Sequence, residues 1–463
     1  MGFGASGIPF NPLLIIPMHR IKLILLLLLF SLPTIVPAQS APESTPSATP
    51  WPEVTPPPAA VLDPDHSEKF DPAAATTAWL DTVPADKRAK SDAYFEGGYW
   101  LILWNFLYGA VVLILLLQLG ISAGIRDFAV GMTRFKALQV VIYTIVFLLI
   151  FSVVTFPLAV YQGFFREHQY GLATQTFGPW FSEQIKELII SLIALSIALV
   201  ILYAVFRRAP RTWWIWGTIV AIGLQILLSF IAPLYIEPVF NTYKPLTDPK
   251  LRDPILAMAN ANEIPVRQVF VVDQSRQTTR ISANVAGFFG TTRIALNDNL
   301  LKQCSLPEIR AVMAHEMGHY VLNHNMKLVM DQGILYLLVF GLTARFFDLA
   351  NRRWGNKWGV SGIGDPAGLP LLGLILSALF FVLTPISNTS TRVAEREADA
   401  FGLNTAREPT GMAKIALKLG AYRKLNPTPM EEAIFFDHPS GRARIRMAMD
   451  WKAAQLTCGE GQK

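Results

Sequence analysis

Four apolar windows free of charged residues, 97–125, 137–165, 188–206 and 212–236, limit what this chain can fold into more than any other feature. A helix crosses a bilayer with about 20 apolar residues, and in lipid every backbone polar group must be satisfied internally. Each window meets that length. Tyr99-Trp100 and Trp213-Trp214-Trp216 sit at window ends, where amphipathic rings favour the membrane interface. A fifth window, 332–344, is shorter and is bounded by Asp331 and Arg345; it is expected to tilt or to sit partly inside protein. A sixth, 366–391, is long enough to span. The competing reading is one large soluble core, and four such segments so close together argue against it.

Composition agrees. The 463 residues are 52% hydrophobic and 16% charged, against roughly 25% charge in soluble domains. That balance excludes a disordered, solvated chain. The net charge of +6 is not gathered into one basic stripe, so no nucleic-acid partner is expected. Cys304 and Cys458 are too few for a disulfide framework or a Cys-rich zinc site. If zinc is bound, His and carboxylates must hold it.

Residues 18–39 read as a secretory signal peptide, or an uncleaved signal anchor. Met18, a candidate start, is followed by His19, Arg20, Lys22, an apolar run to Leu32, and small residues at Ala38 and Ser40. Residues 40–97 read as a Pro-rich linker and a polar N-terminal segment. Seven prolines stand between 40 and 60, where no core is expected. A four-helix membrane domain is expected over 98–236. A second domain is expected over 237–455, with further membrane helices near 328–346 and 367–388.

Loop cations set orientation. Arg126, Arg134, Lys136, Arg207, Arg208, Arg211, Arg345, Arg352, Arg353 and Lys357 crowd three short loops. The opposite loops are sparser, with Arg166 and Lys186 in 161–187 and Lys69, Lys87, Arg88 and Lys90 in 40–97. The first set is expected to be cytoplasmic. Residues 40–97, 161–187, 237–331 and the C-terminus then lie on the exported side, periplasmic in a bacterial-type inner membrane. A signal exporting residue 40 onward gives the same answer.

The chemistry lies in 237–331 and after the sixth window. Gln268–Val272 is β-rich, and 282–296 reads as a hairpin turning at Gly290-Thr291-Thr292. Ser305, Pro307 and Glu308 start a helix with a capping box. That helix carries His315-Glu316-Met317-Gly318-His319. Four residues apart, His315 and His319 share a face and reach one Zn²⁺, which lowers the pKa of a bound water. Glu316 lies beside them as the base for that water. Two incidental histidines on a polar face are the competing reading, and five matching positions oppose it. His324, five residues beyond His319, is off that face and is given no ligand role. A catalytic zinc needs a third protein ligand. In the segment 391–399, Glu395 and Asp399 share a helix face and Glu397 does not. Glu395 is then a candidate ligand, with Asp399 orienting a zinc histidine. From this segment alone, a solvated charged helix is the simpler reading.

The HExxH helix, the membrane pair after it and the Glu395-Arg396-Glu397-Ala398-Asp399 element resemble the M48 metallopeptidases, closest in the Ste24-like branch of type I CAAX prenyl proteases. The resemblance runs over about 90–450. It includes 161–187 with Gly171 and Gln175, Ile231–Leu234 with Pro238–Phe240, and Gly287–Phe289 with Arg293. It also includes Asp437-His438-Pro439 with Arg444. It implies His315, His319 and Glu395 as ligands of one zinc ion and Glu316 as general base. Asp399 is implied as a supporting residue, and His438 as the stabiliser of the oxyanion with Arg444 nearby. His438 alone would read as a surface-loop histidine. The family places Asn-Ala on a strand lining the cleft; here Ser282-Ala283 stands there and Asn284 lies two residues on. A substrate strand is still expected to add to this edge through its backbone.

The expected fold is mainly α, a polytopic helical bundle enclosing a chamber, with a gluzincin-like core and a small β-hairpin or sheet. The expected function is zinc-dependent membrane metalloendopeptidase activity. Its substrate is a peptide or protein, lipidated or membrane-associated, and the resemblance implies CAAX processing. One alternative is a quality-control protease for envelope proteins. Another is a non-catalytic scaffold or transporter with structural zinc. An intact Glu316 argues against the scaffold, and spans almost without ionisable groups argue against the transporter.

Overall fold

The computed structural model describes residues 53–62, 70–286 and 292–460. The expected signal at 18–39, most of the Pro-rich linker and the hairpin turn around Gly290 lie outside the described residues, as does Gly287–Phe289. Six described helices are long and apolar enough to cross a membrane. Helix α1 is Ala85–Gln118, and the amphipathic α2 is Ile121–Met132. Helix α3, Lys136–Val160, continues through a π-turn to Gln169. Helices α4, Phe177–Arg208, and α5, Trp213–Ile231, follow.

Helix α4 shows how such a span is built. Ile185, Ile189, Ile193, Ile197 and Ile201 recur every fourth residue and are exposed, a face for lipid. Leu195, Leu199, Tyr203 and Phe206 turn inward, to a core shared with Val140, Tyr143 and Phe147 of α3.

The first window differs from expectation. The spanning helix begins at Ala85 and stops at Gln118, because Gly120 takes φ 69, a left-handed conformation that costs a side-chain-bearing residue energy. Residues 121–125 therefore belong to α2, whose Phe128, Val130 and Met132 are exposed. The segment before α1 also differs. Val54, expected in a coreless linker, is buried with Leu62, Phe70, Ala75 and Trp79 against Ile445, Ala448 and Met449. Apolar residues of this segment thus find a C-terminal partner far away in sequence.

The second half holds the site. Strands β1, Tyr243–Pro245, β2, Val269–Val272, β3, Ala283–Ala286, and β4, Arg293–Asn297, form a sheet of order β1-β2-β4-β3. The expected hairpin is present as the antiparallel pair β3–β4, and β3 is an edge strand. Under the sheet lies α6, Leu306–Val321. Its Ile309, Met313 and Met317, spaced by one turn, pack against Val285, Ile294 and Leu296. The capping box forms as expected, and Ser305 N–H donates to Glu308 Oε2 at 2.6 Å.

Helix α7, His324–Trp358, absorbs the short fifth window into a 35-residue helix. Asp331 at its polar end bonds Ser390. Helix α8, Leu369–Ala406, is both the sixth span and the carrier of Glu395 and Asp399, so span and site element are one continuous helix. The last helix, α9, is Gly441–Glu460.

Polar clamps tie the sheet to the membrane helices. Arg280 donates to Glu167 Oε2 at 2.7 Å and to Tyr94 Oη at 2.6 Å. Arg293 donates to the Pro233 carbonyl at 2.7 Å and to Glu237 at 3.1 Å.

Candidate active site

Two helices meet backbone to backbone at the site. A Cβ on Gly402 of α8 would stand 3.1 Å from the His315 nitrogen, and one on Gly318 of α6 would stand 3.1 Å from Ala398 Cα. Those two glycines let α8 approach the histidine helix closely enough for its carboxylates to reach the rings. Gly402→Val is expected to wedge them apart, at about 1–3 kcal/mol of stability and with loss of any metal-dependent cleavage. Unfolding in detergent checks it. Parental stability and activity would show that the close contact is not needed.

The side chains converge as follows. His315 Nε2 and His319 Nε2 are 3.2 Å apart. Glu395 Oε2 lies 3.3 Å from the first and Oε1 3.5 Å from the second. One donor atom from each of the three residues falls within 4.8 Å of the others. Behind His315, Nδ1–H donates to Asp399 Oδ1 at 2.8 Å. Arg444 Nε donates to Asp399 Oδ2 at 2.8 Å and its Nη2 also bonds Asp399, so the carboxylate is gripped twice. His438 Nε2 lies 3.3 Å from Glu395 Oε1, and its Nδ1 meets Asp437 Oδ1 at 2.8 Å.

Electrostatics fit a cation. Burial opposes charge on His315, yet the Asp399 and Glu395 carboxylates against its ring hold its pKa up to about 10. Burial pushes His319 down to about 3. Glu395 is buried, and its Oε2 makes no hydrogen bond among the described residues. Buried carboxylates that retain a proton on a neighbouring ring mark a place short of positive charge. Burial also lifts Glu316 to about 7.

Every expected site residue is found in this half of the chain, with some placed differently. Arg444, expected near the oxyanion, stands behind His315 with its fork engaged by Asp399. The Ser282 backbone N–H donates to Asn297 Oδ1 at 3.1 Å, and so Ser282 is tied toward β4. Ala283 and Asn284 lie on β3, opposite Leu296 and Ala295. Asn284 Oδ1 is buried with no hydrogen-bond partner among the described residues.

His324 was missed. It is fully buried, its Nδ1 is 2.9 Å from His319 Nδ1, and its Nε2 is 3.0 Å from Glu397 Oε2. Lys327 holds Glu397 at 2.7 Å. A continuous helix would carry His324 off the zinc face. Instead α6 ends at Val321, and Asn323 takes φ 53, turning the chain back over His319. Asn is among the few residues that adopt this conformation readily, and it was the available signal.

Comparison with known proteins bears on what such a cluster does. Residues 245–452 match the model of peptidase family M48, and 72–242 match that of the CAAX prenyl protease N-terminal region with five membrane helices. An uncharacterized metalloprotease of Bacillus subtilis, YhfN, is 30% identical over 72% of this chain and 78% of its own length. The chain belongs to peptidase family M48. CAAX prenyl protease 1 of Saccharomyces cerevisiae is 28% identical to this M48 protein, over 70% of the chain and 75% of the relative. The crystal structure of S. mikatae Ste24p shares its fold, with a TM-score of 0.69 at 22% identity, covering 84% and 93% of the two chains. This M48 protein is a multi-pass membrane metalloendopeptidase.

Proposed function

We propose that His315, His319 and Glu395 hold one zinc ion and that this centre hydrolyses peptide bonds in membrane-associated protein substrates. The observation that carries it is the convergence of two ring nitrogens and a buried carboxylate that lacks a hydrogen bond at Oε2. Two nitrogens and one oxygen suit zinc with a position left open. Zinc bound there supplies a Lewis acid that polarises the scissile carbonyl and acidifies water. Glu316 takes the proton of the attacking water and delivers it to the leaving amine. Asp399 fixes the His315 tautomer so that Nε2 presents a lone pair, and Arg444 fixes Asp399. His324, held by Glu397, does the same for His319. His438 stands at the rim of the cluster, positioned to hold the oxyanion. The unpaired edge of β3 receives the substrate as an added strand, bringing Ala283 and Asn284 alongside it. The membrane helices wall the chamber in which this happens.

CAAX prenyl protease relatives suggest a lipidated C-terminal peptide as substrate. A second reading, cleavage of damaged envelope proteins, is favoured by the loop cations. Their crowding into the loops 121–138, 207–212 and 345–357 supports a zinc site facing the exported side of the membrane. N-terminal peptide profiling of envelope proteins, with parent and Glu316→Gln enzyme, decides between them. New termini that depend on Glu316 and map to unlipidated envelope proteins support quality control. Termini only at lipidated C-terminal motifs support CAAX processing. A reporter fused after Lys463 is expected to read as exported; a cytoplasmic signal would overturn the orientation.

A further inference from the structure

At the bundle end remote from the histidines, α2, the start of α3, the last turn of α4 and the loop 361–366 line an open cavity of about 320 Å³. Helix α8 starts beside it and rises about 40 Å before reaching Glu395, so the two sites are separated by the length of a span. Arg126, Lys136 and Arg207 line the cavity, with Asp365 as the acidic residue of its wall. Asp365 is already saturated. Its carboxylate accepts from Arg126 Nη1 at 2.7 Å, Ser361 N–H at 3.0 Å, Ser361 Oγ at 2.9 Å and Ala367 N–H at 3.0 Å. Arg126 is further engaged by Asp127 at 2.8 Å and the Gly359 carbonyl at 2.9 Å. Lys136 and Arg207 have no hydrogen-bond or ion-pair partner among the described residues.

Two uncommitted cations therefore face one cavity whose internal anion is used up. The stem of Arg207 lies along the loop wall, where a Cβ on Gly364 would stand 3.1 Å from Arg207 Cγ. The remaining wall includes apolar Ala129, Val130 and Val140. Cations beside apolar wall, at the headgroup end of membrane-spanning helices, suit an amphiphile with a phosphate. Loop cations that served only to orient the chain would need no shared cavity.

We propose that this cavity binds the phosphate of an anionic phospholipid headgroup through Lys136 and Arg207. The same chemistry is offered by a soluble phosphate, and the experiment separates the two. Full-length protein in detergent is titrated with phosphatidylglycerol, phosphatidylcholine and inorganic phosphate, with binding read by native mass spectrometry. The parent is expected to prefer phosphatidylglycerol over phosphatidylcholine by about tenfold or more. Lys136→Gln with Arg207→Gln abolishes that preference, while Lys136→Arg with Arg207→Lys retains it. Both cations are exposed and unpaired, and an unchanged unfolding temperature confirms that the fold survives. Displacement of lipid by millimolar inorganic phosphate supports the phosphate site with a soluble source; failure to displace assigns it to lipid. Equal binding of the two lipids by the parent, or a parental preference in the Gln variant, overturns the proposal.

Discussion

Glu316→Gln is expected to slow peptide-bond cleavage by about 10²- to 10⁴-fold, the usual contribution of a positioned general base, while leaving bound metal and fold intact. The carboxylate is half-buried, makes no side-chain hydrogen bond or ion pair among the described residues, and burial raises it to about 7. A group poised there accepts a proton from water and returns it within one turnover. Glutamine keeps the size and loses the basicity. The packing of α6 is untouched, because Ile309, Met313 and Met317, not Glu316, contact the sheet. Steady-state cleavage beside zinc content by mass spectrometry measures both halves of the expectation. A variant that holds zinc and cleaves at the parental rate would remove the base from the mechanism.

Glu395→Ala is expected to weaken zinc binding by more than about 100-fold, and His324→Ala by about 10- to 100-fold, the range typical of groups that orient a ligand. The difference follows from position. Glu395 offers an oxygen to the cluster itself, 3.3 Å from His315 Nε2. Within the cluster, His324 meets the far nitrogen of His319, Nδ1, rather than the one facing the other donors. Competition with a chromophoric chelator gives both affinities. Equal zinc content after Glu395→Ala would move the third donor elsewhere. The nearest candidate is His438, whose Nε2 stands 3.3 Å from Glu395 Oε1. His438→Ala should retain zinc and lose only rate.

Local signals in the chain carried much of this. The capping box at Ser305 and Glu308, the i,i+4 histidines and the shared face of Glu395 and Asp399 follow from helical geometry alone, and the structure shows each of them. The spans were legible because lipid demands uninterrupted apolar length. What was not legible depends on reversals and distant partners. Gly120 cuts the first window, and Asn323 folds His324 back onto His319. Arg444 reaches Asp399 from a separate helix, and no sequence spacing relates the two. Val54 and Trp79 find their cover on α9, nearly the whole chain away. Gly318 and Gly402 looked unremarkable in sequence, yet they set how closely the two site helices approach.

The most direct test of the metal centre is anomalous diffraction at the zinc edge from crystals of the full chain that retain cleavage activity. His315 Nε2, His319 Nε2 and a Glu395 oxygen predict one strong peak about 2.0–2.2 Å from all three. An active protein with no peak there, or with its zinc bounded by other residues, would contradict it.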